Sequence, residues 1–233
     1  GIQTSAAGAY TGGDFCGIQG AAGASICGGS FAGVQGSAVF NMTAGDFHGV
    51  QGATALNIAS GDFYGLQGAI VNYSGAAFTG FQPGLVNIAK KVDGCQLGLV
   101  NVTDYLGSGF QIGLVNYSKD ADGIPIGLFS IVKNGETYGN IMTEENGFTR
   151  LSLAHGSKKI YNIFTWGYNR TRGEQSTGLG WGHKFEFGDG FFSVEGIINT
   201  VSMSRDSDTT LDLYNENQLK LTLGYSFFEH CSI

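Results

Sequence analysis

The stretch GDFHGVQ, residues 45–51, places Asp46, His48 and Gln51 side by side. A carboxylate next to an imidazole could serve as a general base, and the same pair could begin a metal site. Nothing else in the chain completes either arrangement. His48, His155, His183 and His230 stand away from any Cys or Glu at ligand spacing. Cys16, Cys27, Cys95 and Cys231 contain no C-x-x-C pair and read as small apolar side chains rather than a disulfide framework. No serine sits in G-x-S-x-G, and GLGWGH lies in a strand pattern rather than between a strand and a helix. Asp14, Asp46 and Asp62 fall on a common grid in GDF, but without the spacing of a calcium-binding nonapeptide, so they read as turn caps. The expectation is a protein that is not an enzyme and has no cofactor and no metal.

The grid accounts for the grouping. Glutamines recur at Gln3, Gln19, Gln35, Gln51, Gln67, Gln82, Gln96 and Gln111, in steps of 14 to 16, and Pro125 takes the next slot. Asparagines keep step at Asn41, Asn57, Asn72, Asn87, Asn101 and Asn116. Phe15, Phe31, Phe47 and Phe63 form an aromatic column that runs on to Phe78, then to Cys95 at a shifted place and Phe110. His48 belongs to no column; its equivalents are Cys16, Ala32, Tyr64 and Thr79. The columns predict an all-β fold: a glycine-rich repeat β-solenoid of about nine coils over residues 1–135, followed by an antiparallel β region over 136–233. The alternative is a single β-barrel or meander. A meander reverses direction at every strand, so its natural period is two copies; identical Gln and Asn in every copy favour a coil. Stacked amides and rings would then be structural ladders.

The later copies, FQIGLVNYSKDADG and IPIGLFSIVKNG, resemble the G-x-Q-I-G-L-x-N repeats of a bacterial surface-repeat family of outer-membrane-associated or lipid-anchored proteins. The match is strongest over residues 80–135, and TGLGWGHKFEFGDGFFSVEGI and NQLKLTLGYSF resemble the β-rich tail of such proteins. The resemblance implies a cell-surface or outer-membrane location and carries no activity.

Composition agrees with a structural role. Charged residues are only 13%, half the usual share, and Gly1 to Ala89 hold no Lys, Arg or Glu. The net charge of -7 argues against nucleic acid as a partner. The remaining partner expectations are a homo-oligomer or filament built through an uncapped repeat end, further repeats upstream, and outer-membrane association. No apolar run reaches the 18 residues of a membrane helix, and the start lacks a signal peptide. Beyond Asn146 the pattern alternates. In QLKLTLGYSFF, Leu219, Leu221 and Leu223 are expected to face a core and Lys220 and Thr222 to face water, on a sheet that caps the repeats. The final strand also resembles the closing strand of an outer-membrane barrel. Residues 204–217 read as a polar loop, Trp166 and Trp181 as core, and Asn169 as the only sequon in a polar turn.

Overall fold

The computed structural model describes the backbone of residues 1–188, 190–204, 211–228 and 231–232, and the side chains of 1–188, 190–203 and 213–224. Every regular element among them is a strand, and the chain divides into two compact units, Gly1–Asn134 and Gly135–Ile233.

The first unit is a β-solenoid of about nine coils. Its early strands are β1 (Ile2–Ser5), β2 (Gly8–Thr11), β3 (Phe15–Ala21), β4 (Ala24–Cys27), β5 (Phe31–Ser37), β6 (Phe40–Thr43), β7 (Phe47–Ala53), β8 (Leu56–Ala59) and β9 (Phe63–Gly68). The later ones are β10 (Val71–Pro83), β11 (Val86–Val92), β12 (Cys95–Leu97), β13 (Val100–Leu106), β14 (Phe110–Ala121) and β15 (Ile124–Val132). All pair in parallel and in the register of the repeat: Gln35 lies over Gln51, Asn57 over Asn72, and Phe47 over Phe63. β10 and β14 run through a corner, so in the later coils the turn itself joins the ladder.

Register corrects the aromatic column. Phe78 pairs with Val92, Val92 with Leu106 and Leu106 with Ala121, so the inner row continues through aliphatic residues. Cys95 and Phe110 instead pair with Phe81 and with each other, in an outward row. That row also holds Ile18, Val34, Val50 and Leu66. The sequence pattern could not separate two apolar rows that lie three residues apart once the copies shorten.

Glycine fixes how close the coils can come. Gly49 has φ +131°, and a Cβ there would lie 2.0 Å from the carbonyl oxygen of Gly33. Gly33 and Gly65 repeat the arrangement in neighbouring coils.

The second unit is an antiparallel sheet in sequence order: β16 (Glu136–Thr143), β17 (Phe148–Gly156), β18 (Ile160–Asn169), β19 (Glu174–Phe187), β20 (Gly190–Ser204), β21 (Leu211–Phe228) and β22 (Cys231–Ser232). Residues 211–217 are therefore strand rather than loop, paired along β20; of the expected loop, 205–210 lie outside the described residues. The sheet also presents the opposite face from the one expected. Leu219, Leu221 and Leu223 are 73%, 62% and 75% exposed, whereas Lys220 and Thr222 are half-buried. The reason is that the other face is already filled by paired charges.

A methyl group at Gly49 must displace the neighbouring backbone and adopt a left-handed φ. Gly49→Ala is expected to cost more than about 2 kcal/mol of stability in denaturant unfolding. Gly52→Ala, with open space around its Cβ and no positive φ, should stay within about 0.5 kcal/mol of the parent.

Candidate functional site

The interior of the solenoid is polar along one half of each coil. Gln19, Gln35, Gln51, Gln67, Gln82, Gln96 and Gln111 are fully buried. Each donates from Nε2 to the Oε1 of the glutamine one coil earlier, at 2.6–2.8 Å, from Gln19 on Gln3 to Gln111 on Gln96. The buried asparagines run the other way. Asn41, Asn57, Asn72, Asn87 and Asn101 each donate from Nδ2 to the Oδ1 of the next, at 2.8–3.1 Å. Two amide chains of opposite sense lie side by side, so their dipoles oppose.

The asparagines have a second task. Asn87, Asn101 and Asn116 also donate to the backbone carbonyls of Leu97, Ile112 and Ile126, just before the turn that joins the two sides of a coil. The turn apices are bonded from coil to coil as well. Leu85 and Val86 both donate to Ile70 O, Leu99 and Val100 to Leu85 O, and Leu114 and Val115 to Leu99 O. The glycine of each G-L-V-N turn makes room for the amide: a Cβ on Gly98 would lie 2.7 Å from Asn87 Nδ2. Buried amides thus help hold a turn whose Leu85, Leu99 and Leu114 N–H groups have partners within the protein.

Each ladder has an end. Gln111 Oε1 and Asn41 Oδ1 are buried without a hydrogen-bond partner. Gln111 faces Pro125, which has no N–H, and Asn41 faces Ser25, whose hydroxyl donates to Gly36 O instead.

Phe15, Phe31, Phe47 and Phe63 stack with ring centroids 4.8–5.4 Å apart, at the other side of the coil interior. The aspartates cap turns there: Asp14 accepts from Ser30 N at 2.7 Å, Asp46 from Asp62 N at 2.9 Å and Asp62 from Ala77 N at 3.0 Å. His48 points outward and stacks on Tyr64. Cys16 is exposed and Cys27 buried; both, like Cys95, are free thiols. Among the described residues no three His, Cys, Asp or Glu side chains group as a metal site.

What the solenoid presents outward is apolar on one long edge and charged on the other. Leu85, Leu99 and Leu114 form an exposed row at the turn apices, flanked by Leu97 and Ile112. The later coils carry Lys91 with Asp93 (2.6 Å) and Lys119 with Asp104 (2.8 Å) at the opposite side of the coil. The hydrogen bond from Lys91 holds the Asp93 carboxyl below its ordinary range.

The second unit repeats this inversion. Arg150 is 1% exposed and lies between Glu144, 2.8 Å from its Nε, and Glu216 of β21, with Ser176 accepting at 2.6 Å. Lys184 meets Tyr138 at 3.1 Å and Glu136 and Glu186 at 3.5 and 2.9 Å; Lys220 meets Glu195 at 3.3 Å. β17 and β21 are separated by three strands, so a side-chain ion pair between them requires a strongly curled sheet. Inside the curl is a hollow of about 620 Å³ lined by Tyr138, Tyr161, Lys184, Glu195 and Lys220. Outside are Leu151, Leu153, Trp166, Trp181 and Ile198, all exposed, which corrects the assignment of the two tryptophans to a core. Asn169 is buried and holds the turn that follows it, accepting from Thr171 N and Arg172 N, so it is no glycan acceptor. The charged interior was hidden in the sequence because alternation marks two faces without saying which one meets water.

Asn87→Leu removes the acceptor of Asn72 and the donor to Asn101 and is expected to cost about 2 kcal/mol in unfolding. Ser25→Asn supplies a donor to Asn41 but leaves its own buried Oδ1 facing Ala9, so the orphan moves by one coil and stability should stay within about 0.5 kcal/mol of the parent. Arg150→Met strands Glu144 and Glu216 and should cost about 3 kcal/mol, read in the same way. Comparison with models of known families, with curated proteins and with solved structures finds no match, so the geometry alone carries the functional reading.

Proposed function

We propose that the chain is a non-enzymatic structural protein of a bacterial outer membrane and cell surface, in which the second unit forms part of a membrane-crossing β-barrel wall and the solenoid is a scaffold. One observation carries the reading. The second unit sets Arg150, Lys184, Lys220 and their carboxylate partners on one face, together with the buried Ile163 and Ile197, and exposes Leu151, Leu153, Trp166, Trp181, Ile198, Leu219, Leu221 and Leu223 on the other. Apolar outside and polar inside is the arrangement of a strand that crosses lipid. β18, β19 and β20 have 10, 14 and 15 residues, enough for a tilted crossing of about 9–11.

Among the described residues, six long strands are fewer than the eight of the smallest single-chain barrels. Closure therefore calls for additional strands at the free edges, and a second copy of the chain would supply them. On this reading self-association runs through the sheet edges rather than through the repeat end expected from the sequence. The buried charges support a structural rather than a catalytic role, since each is bonded to another charge and none is held ready for a substrate.

Trp166 and Trp181 are the only tryptophans, and both lie on the outward face. In vesicles of phosphatidylcholine with brominated acyl chains, the full chain should lose at least half its tryptophan fluorescence. A chain that stays in solution without detergent, with its tryptophans quenched by iodide and untouched by the brominated lipid, would overturn the reading.

A further inference from the structure

We propose that the solenoid lies with its apolar edge inserted into the hydrocarbon of one bilayer leaflet, so that lipid acyl chains are the occupant of this surface. The inference rests on the first unit and does not require the strands of the second to cross the membrane.

The surface is a convex edge. Outward side chains on both flanks of the turn and at its apex are apolar. In β14 these are Phe110, Ile112 and Leu114, followed after the apex by Tyr117. The same positions one coil earlier are Cys95, Leu97, Leu99 and Val102, and one coil before that Phe81, Pro83, Leu85 and Ile88. The edge is weaker in the early coils, where Gly20, Gly36 and Gly52 stand in the place of Leu97 and Ile112. A groove for a peptide or a flat face for a protein partner would not wrap around a turn in this way. A fluid solvent of acyl chains covers a convex edge without any complementary shape.

Hydrocarbon imposes a harder condition, namely that no backbone polar group is left without a partner. An ordinary surface turn relies on water and fails it. Here the N–H groups of Leu85, Leu99 and Leu114 are bonded to the preceding coil, and the carbonyls of Ile70, Leu85 and Leu99 each accept two such bonds. The carbonyls of Leu97, Ile112 and Ile126 are covered from inside by the asparagine amides. At these positions the edge is bonded within the protein as well as apolar in its side chains.

The depth fits a single leaflet. From Leu114 back to Phe110 is four residues, and from Leu114 forward to Tyr117 is three, or roughly 10–13 Å at about 3.3 Å per residue. Half of a hydrocarbon core is about 15 Å. At that depth Tyr73 and Tyr117 occupy one row, at the level where amphipathic rings sit. Beyond it come the exposed Lys90, Asp104 and Lys119, which would lie in the headgroups or in water.

The test uses the full chain with Cys16, Cys95 and Cys231 replaced by Ser and the buried Cys27 retained. An environment-sensitive NBD label is attached at Leu99→Cys, Leu114→Cys or Lys90→Cys in separate samples. Each is placed in phosphatidylcholine vesicles containing lipid with a nitroxide high on the acyl chain, and circular dichroism confirms that each retains its β content. Labels at 99 and 114 should lose at least half their emission to the nitroxide and be insensitive to iodide, while the label at 90 shows the reverse. Iodide quenching at all three positions, in samples whose tryptophans are quenched by brominated lipid, would overturn this inference and leave the barrel reading standing. Iodide quenching at all three positions, with tryptophans untouched by the brominated lipid, would overturn both. Edge labels protected from nitroxide and iodide alike, with cross-links between copies at position 114, would assign the edge to a second copy of the chain and equally refute lipid.

Discussion

The structure of the solenoid depends on one constraint: the peptide groups at each turn must find partners inside the protein. Leucine, isoleucine and valine at the apex give no help, and water is not the partner that the fold supplies. Neighbouring coils supply most of the bonds, and the asparagine amide adds to them by reaching from the interior to the carbonyls of Leu97, Ile112 and Ile126. Several sequence features follow from this. Asparagine recurs in step because each amide must also bond to the next. Glycine precedes the apex because the amide passes where its Cβ would be. The coils stay in register because a slip would break both ladders at once.

The same logic inverts the usual distribution of polarity. Burying an amide without a partner costs about 1–3 kcal/mol, but a ladder gives every amide except the last a neighbour of its own kind. A polar interior is then stable, and the outward positions are free to be apolar. The second unit reaches a similar result by other means. Its interior sets full charges beside a small apolar cluster of Ala154, Tyr161, Ile163 and Ile197, and Arg150 is tolerated at 1% exposure because two carboxylates and a hydroxyl surround it. The proposed placement of both units against lipid rests on this common inversion, since side chains as apolar as Leu114 and Leu223 are exposed in rows rather than singly.

Much of the first unit was legible in the sequence. The recurrence of Gln, Asn and Phe marks a coil because only a coil returns the same residue to the same place. The drift of the copies was harder. When the copies shortened after Gln67, the inner position of Phe78 passed to Val92 while Phe110 moved to the outer row, and an aromatic side chain drew attention to the wrong place. In the second unit the strands were visible as alternation, but the assumption that Leu219 and Leu221 face a core was not contained in the pattern. The signal that could have corrected it lies far away in sequence: Arg150, Glu144 and Glu216 are single charges in different strands, and only folding brings them together. Residues 213–217 failed as a loop for the related reason that Tyr214 and Glu216 turn toward Glu174 and Arg150 while Leu213, Asn215 and Asn217 face outward, so the polar residues sit on both faces of a strand.

The central claim is that the turn backbone at the apolar edge is bonded within the protein. Amide hydrogen exchange at Leu85, Leu99 and Leu114 in the full chain tests it most directly. These amides are predicted to exchange as slowly as those of Val102 and Ile88 in the strands they join. Exchange at the rate of an open loop, with the strand amides still protected, would contradict it.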